Sequence, residues 1–314
     1  MENILIIGSG GQLGSELEEY LVELYGEEKI FSSDINDLNK KTSIFILLDA
    51  LDKKKMYEVV KKNKIKVIYH LAAVLSAKGE NNPIHTWNVN MNTLFNVLEL
   101  AREKIISKVF WPSSIAVFGP SSPMNPALQF SIKDPITVYG ISKLSGESWC
   151  EYYNKNHSTD IRSIRFPGII SYKSLPGGGT TDYAVDIFHS AIKNKKFSCF
   201  LSKDTYLPML YIEDALNAIH KIMEAEKSKL SLSSSYNLSA MSFSPEELFD
   251  SIKKYIKDFE ISYNQDERQK IADSWPNNVE DSYARNDWGW KEKFDLEKMT
   301  KEIIMKLKNI NNLS

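Results

Sequence analysis

Tyr139 and Lys143 stand four residues apart in Tyr139-Gly140-Ile141-Ser142-Lys143, a spacing that puts both side chains on one face of a helix. An ammonium beside a phenol favours the phenolate, so the lysine is expected to draw the tyrosine pKa down toward working pH. A tyrosinate tuned in this way can take the proton of a substrate hydroxyl while hydride leaves the same carbon. Ser114, in Trp111-Pro112-Ser113-Ser114-Ile115-Ala116-Val117-Phe118-Gly119, is the candidate partner that hydrogen-bonds the reacting oxygen. Tyr-x-x-x-Lys also describes an aromatic on a core-facing helix stripe beside a snorkelling lysine. The elements around the pair decide between the two.

Those elements read as a dinucleotide-binding fold. Ile4-Leu5-Ile6-Ile7 is a continuous apolar run suited to a strand buried on both faces. Gly8-Ser9-Gly10-Gly11-Gln12-Leu13-Gly14 follows it, and the residues after Gly14 have helical periodicity. A pyrophosphate site needs this order, because small residues admit the phosphates and the helix N-terminus faces them. Gly8, Gly11, Gln12, Leu13 and Gly14 are therefore candidate cofactor residues. The second strand ends in Asp34, where a carboxylate accepts hydrogen bonds from both adenosine ribose hydroxyls and repels a 2′-phosphate. That favours NAD over NADP. A turn or helix-cap role for Asp34 is the alternative.

Residues 44–48 are expected as the third strand, with Asp49 and Ala50 at the end that faces the adenine. Residues 67–73 are expected as the fourth, with Leu71, Ala72 and Ala73 at the carboxyl end where a cofactor would pass. His70, inside that apolar strand, reads as a packed and hydrogen-bonded side chain and not as a catalyst. A long helix is expected over 83–104, on which Asn90 either holds backbone or water near Ser114 or faces solvent. Residues 109–111 form the fifth strand and deliver Ser113 and Ser114 to its end. The fold class that follows is α/β, a doubly wound parallel sheet of Rossmann type.

At 314 residues the chain is one large or two modest domains. A net charge of -2 gives no basic excess for nucleic acid or an anionic membrane surface. Cys150 and Cys199 are the two cysteines, which argues against a disulfide framework and a cysteine zinc site; no metal is expected. No apolar run reaches membrane-spanning length. The first strand begins almost at once, so a cytoplasmic protein is expected, or one of the mitochondrial matrix had a presequence been removed.

Taken together, these residues resemble the extended short-chain dehydrogenase/reductase family, which includes UDP-galactose 4-epimerase. The likeness rests on Gly8 to Gly14, Asp34, His70-Leu71-Ala72-Ala73, Asn90, the Ser114 segment, Tyr139 with Lys143, and Arg165-Phe166-Pro167-Gly168, and it runs on to Trp288-Gly289-Trp290. It implies an NAD-binding domain over 1–165 with returning segments from the second half, a mainly substrate-binding domain over 166–314, and commonly a homodimer. Asn90, Pro167, Tyr139 and Lys143 join the cofactor residues on this ground, with Lys143 expected to hold the nicotinamide ribose. The sugar-nucleotide members carry an Arg-Asp pair several residues before the position of Asp214, where this chain has Leu207-Pro208. Gly177-Gly178-Gly179-Thr180-Thr181-Asp182 and Asp273-Ser274-Trp275-Pro276 are similar instead to the short-chain-type L-threonine 3-dehydrogenases. That implies NAD-dependent oxidation of the threonine 3-hydroxyl to L-2-amino-3-oxobutanoate. The alternative is a sugar-nucleotide epimerase or dehydratase.

For such a substrate, a small zwitterion, the site must hold a carboxylate and an ammonium with the hydroxyl facing Tyr139. The glycine triplet reads as a flexible loop opening a helix, whose free amides, with the Thr180 and Thr181 hydroxyls, form a carboxylate site. Thr181 or Asp182 as an ordinary helix cap is an equal reading. Ser76 and Ser113 are candidate polar contacts, and Trp275 a covering wall. Ser244-Pro245-Glu246-Glu247 is a capping box that starts a helix in the second half.

Overall fold

Ile4 and Ile6 pack into one hydrophobic core and Leu5 and Ile7 into another, because successive side chains of a strand point to opposite faces. This strand, β1 (Asn3–Ile7), is therefore central to its sheet, with apolar layers on both sides. The computed structural model describes residues 2–38, 42–173 and 177–311. β2 (Ile30–Asp34) and β3 (Ile44–Leu47) extend the sheet to one side of β1. β4 (Ile65–His70), β5 (Lys108–Ser114) and β6 (Ile161–Phe166) extend it to the other. All these neighbours pair in parallel. Between β1 and β4 the chain reverses its direction of travel across the sheet, so a crevice opens at their carboxyl ends.

Helices cover both faces. α1 (Gln12–Tyr25) follows the glycine loop, and α2 (Lys53–Lys62) starts where the Asp52 side chain accepts from the Lys55 amide at 2.9 Å. A single turn, α3 (Ser76–Gly79), precedes α4 (Pro83–Arg102). The expected helix over 83–104 stops at Arg102, and Lys104 takes a left-handed φ of 57°. α5 (Val138–His157) carries Tyr139 and Lys143. The fourth strand starts earlier and stops earlier than expected. It pairs from Ile65 to His70, and residues 71–73 leave as loop after Leu71 donates to the Ile7 carbonyl at 2.8 Å.

After β6 the chain makes β7 (Gly168–Ile170), α6 (Tyr183–Lys193), β8 (Lys196–Cys199), β9 (Leu207–Tyr211) and α7 (Ile212–Glu224). It then returns as β10 (Ser235–Asn237), which pairs in parallel with β6 and completes a seven-stranded sheet of order β10-β6-β5-β4-β1-β2-β3. β11 (Met241–Phe243) joins β9 and β7 in a second sheet, and β12 (Glu260–Tyr263) pairs with β8. α8 (Pro245–Lys253) opens on the expected capping box, with Ser244 and Glu247 bonded reciprocally at 3.2 Å. α9 (Arg268–Ala272), α10 (Ser282–Trp288) and α11 (Leu296–Ile310) end the chain. Buried Asp214 on α7 accepts from the amides of Lys293 and Phe294 at 3.0 and 3.1 Å, which ties this last segment back to the main body. Among the described residues no helix is long and apolar enough to cross a membrane.

Candidate active site

The glycine loop fits its role by exclusion. Gly8 has a φ of +87°, and a Cβ there would lie 2.7 Å from the Ala72 nitrogen. A Cβ on Gly14 would lie 2.2 Å from the Gly8 carbonyl oxygen, so α1 can pack this close only with glycine there. The amides of Gly8 and Ser9 donate to the Ser33 carbonyl at 2.9 and 3.0 Å, which fixes the loop over the end of β2. α1 begins with Gly11 at the N-cap and no side-chain cap, which leaves its first-turn amides for an anion such as a pyrophosphate. Asp34 stands beside the loop with Oδ2 accepting from the Gly10 amide at 2.9 Å and Oδ1 from Asn36 at 3.1 Å. Its turn role and a ribose role are thus compatible, because each carboxylate oxygen has a second lone pair. A dinucleotide fits these residues.

The crevice is a cleft of about 260 Å³. Gly8, Gly11, Gln12, Leu13, Gly14, Leu71, Ala73 and Pro167 line it from the cofactor set. Asp34, Asp49 and Ala50 lie outside that lining, at the ends of β2 and β3. Ala72 sits with its backbone against Gly8. Asn90 is a correction to the cofactor reading. Its amide bonds both the nitrogen and the carbonyl of Val74, at 2.8 and 3.1 Å, and Ser142 at 3.1 Å, so it braces the loop after β4 against α5 instead of facing the cleft.

Ser114, Tyr139 and Lys143 all line the same cleft. Thr137 caps α5 by accepting from Gly140 at 3.0 Å, and Glu80 accepts from Val138 at 2.8 Å. The helix start is thereby held, and it presents the pair to the end of β5. Lys143 Nζ lies 2.5 Å from the Pro112 carbonyl oxygen, 4.5 Å from the Trp111 ring centre and 5.5 Å from that of Tyr139. The expected fall in the tyrosine pKa is not what the site gives. Burial pushes Tyr139 up to about 12, opposed by its hydrogen bond with Ser114. Burial also pushes Lys143 down to about 7, opposed by Cys150 and Glu147. Desolvation outweighs these opposing contacts, because each group must be charged out of water.

The same lining holds Ser76 and a group of residues from the second half. The Ser76 and Thr180 hydroxyls are 3.2 Å apart and buried, with Thr181, Asp182 and Trp275 also in the lining. The glycine amides need a correction. Gly178 and Gly179 donate to Asp182 Oδ2 at 2.8 and 2.6 Å, so these two amides are taken up within the loop. An aspartate three and four residues along folds back and competes with any ligand for them. Ser113 also lines the cleft, with its hydroxyl donating to Glu147 behind it at 2.6 Å. His70 is packed as expected: Nε2 meets Thr93 Oγ1 at 3.1 Å, and burial pushes its pKa down to about 3.

Sequence reading missed the layer behind the cleft. Glu147 and Arg165 form a buried ion pair at 2.8 Å, which also takes in Gln129 and Asn237. The four-residue step from Lys143 to Glu147 was the available signal, since it continues the stripe of Tyr139 and Lys143.

The chain is similar to known proteins along nearly its whole length. The mitochondrial L-threonine 3-dehydrogenase of Bos taurus is 46% identical over 307 residues, which cover 96% of this chain and 82% of that protein. The GalE-like L-threonine dehydrogenase from Cupriavidus necator, in its holo form, superposes with a TM-score of 0.96 at 47% identity, over 98% of this chain and 100% of that one. The apo form of the same protein gives 0.86 at 44% identity, over 98% and 100%. Residues 4–238 match the NAD dependent epimerase/dehydratase family. The chain belongs to that family.

Proposed function

We infer that this protein is an NAD-dependent L-threonine 3-dehydrogenase, which oxidises the 3-hydroxyl of L-threonine to give L-2-amino-3-oxobutanoate. The observation that carries the reading is the shared lining of one cleft, which holds the alcohol-oxidising set Ser114, Tyr139 and Lys143 together with the paired hydroxyls of Ser76 and Thr180. The names of the two similar proteins supply the substrate. When bound, NAD supplies the nicotinamide carbon that accepts the hydride.

The chain's own residues do the rest. Tyr139 takes the proton of the substrate hydroxyl, and Ser114 holds the same oxygen in line. Lys143 provides the positive charge that the phenolate needs. Thr180, Thr181 and Ser76 receive the carboxylate. Asp182 is the acidic side chain among the described residues of the lining, so it receives the ammonium. Trp275 closes the cleft against water, which strengthens each of these interactions. Asp34, Asp49 and Ala50 face the adenosine end of the cofactor, and Asp34 sets the preference for NAD.

The division into a cofactor unit to residue 165 and a mainly substrate-binding unit beyond it belongs to this reading. So does a homodimer through the exposed face of α4 and α5, where Ile84, Trp149 and Tyr152 are uncovered. The reading assigns a soluble compartment, the cytoplasm or a mitochondrial matrix.

The decisive experiment mixes purified protein with NAD and follows absorbance of the reduced nicotinamide. L-threonine is set against L-serine, L-allo-threonine, UDP-glucose and UDP-galactose. Reduction with L-threonine is expected. Interconversion of UDP-sugars with no threonine oxidation would remove the assignment.

A further inference from the structure

The end of β5 and one face of α5 meet at three successive residues. The Pro112 carbonyl receives Lys143 at 2.5 Å, the Ser113 hydroxyl donates to Glu147 at 2.6 Å, and Ser114 shares the cleft lining with Tyr139. Tyr139, Lys143 and Glu147 follow one another at steps of four residues, so they form one stripe along the helix. The outer two residues stand with groups that face the cleft. The middle one does not, for Glu147 is 2% exposed and lies behind the lining.

Glu147 is also held from the far side. Arg165 Nε and Nη2 each donate to one of its oxygens at 2.8 Å. Arg165 Nη1 is itself fixed by the Gln129 carbonyl and Asn237 Oδ1, both at 2.9 Å. A buried ion pair gives a fold little net stability, since desolvation consumes most of the attraction. Its value here has to lie in what it orients.

We propose that Glu147 is a positioning residue for the reaction: through Ser113 it fixes the strand end that meets Lys143 and Tyr139, and it sets its carboxylate one helical turn from Lys143 on the same stripe. This rests on the reading that Tyr139 and Lys143 carry the chemistry. Lys143 feels Glu147 and Cys150 from its own helix and His70 from β4, with Tyr139 one turn back. His70 and Cys150 are kept neutral by burial, which leaves Glu147 as the negative charge among them. Arg165 and Lys133 act on Glu147 from the opposite side.

The reactive form of the pair has one proton, on Lys143 and not on Tyr139. Removing the Glu147 charge lowers the Lys143 pKa more than that of Tyr139, which is a turn further away. The reactive form then becomes scarcer at every pH, and the pair drops to one proton at a lower pH.

The test compares wild type with Glu147→Gln, which keeps the shape and drops the charge. Plateau kcat is expected to fall up to about tenfold while its acid limb moves down by up to about one pH unit. Glu147→Asp, which keeps the charge, should lower kcat and leave the limb in place. Ser113→Ala, which leaves the ion pair intact, should lower kcat by about threefold or more with an unmoved limb. It carries the test should the Gln variant not fold. The Lys143 Nζ resonance of 15N-lysine-labelled holoenzyme, assigned with Lys143→Arg, gives a readout that needs no turnover. An unmoved limb and resonance in Glu147→Gln, or wild-type kcat in Ser113→Ala, would overturn the proposal. A wild type inert toward threonine would remove the reading of function instead, with the Lys143 titration still reporting on Glu147.

Discussion

Ser76 and Thr180 are 104 residues apart in the chain, and their hydroxyls lie 3.2 Å from each other in the buried wall of the cleft. Ser76 belongs to the first half, on the single turn after β4; Thr180 belongs to the segment before α6. The contact therefore needs the two halves to be brought together. A second bond crosses at the same place, from the Lys78 amide to the Gly178 carbonyl at 3.4 Å.

Removing either hydroxyl should weaken threonine and spare NAD. Each is expected to donate to a charged carboxylate, so Thr180→Ala should cost about 10- to 100-fold in kcat/KM, mainly through KM. Ser76→Ala should cost less, because Thr180 can still donate. Steady-state kinetics with NAD titrations run in parallel check both.

Tyr139→Phe removes the proton acceptor and leaves the glycine loop and Lys143 of the cofactor cradle in place. Turnover should fall by about two to four orders of magnitude with NAD affinity retained. Tryptophan fluorescence quenching by NAD, beside a turnover assay, separates the two effects. Near-normal turnover in this variant would eliminate Tyr139 as the base.

The pH dependence of oxidation follows from the two shifted groups taken as a pair. Below about 7 both Tyr139 and Lys143 hold a proton, and between about 7 and about 12 the pair holds one. The reactive arrangement is a one-proton state, so kcat should rise with pH through about 7 and then level off, falling only in strong alkali. A profile that climbs continuously to high pH, with no plateau, would mean that the phenol titrates alone.

His70 should limit stability in acid. Its folded pKa, pushed down by burial to about 3, lies below the ordinary histidine value of 6.5. Between those two values the unfolded chain binds the extra proton, so stability is lost as pH falls through this window. The loss should reach on the order of 2–3 kcal/mol about two pH units below the ordinary value. Urea denaturation of wild type and His70→Gln across that range checks it; the variant should show the shallower slope.

The primary structure was enough to locate the cofactor half. Close approach of loop, strand and helix requires glycine at positions 8 and 14 whatever else the fold does, and the apolar runs placed β1 and the end of β2 within a residue or so. Local spacing also put Tyr139 and Lys143 on one helix face, because helical periodicity is a short-range property. Two matters waited for the tertiary structure. The pKa directions of that pair depend on desolvation by residues far along the chain. The Glu147–Arg165 pair joins α5 to β6, a contact that no local pattern encodes. Burial and long-range pairing are sums over the whole packed molecule, and a sequence read in windows contains only their local parts.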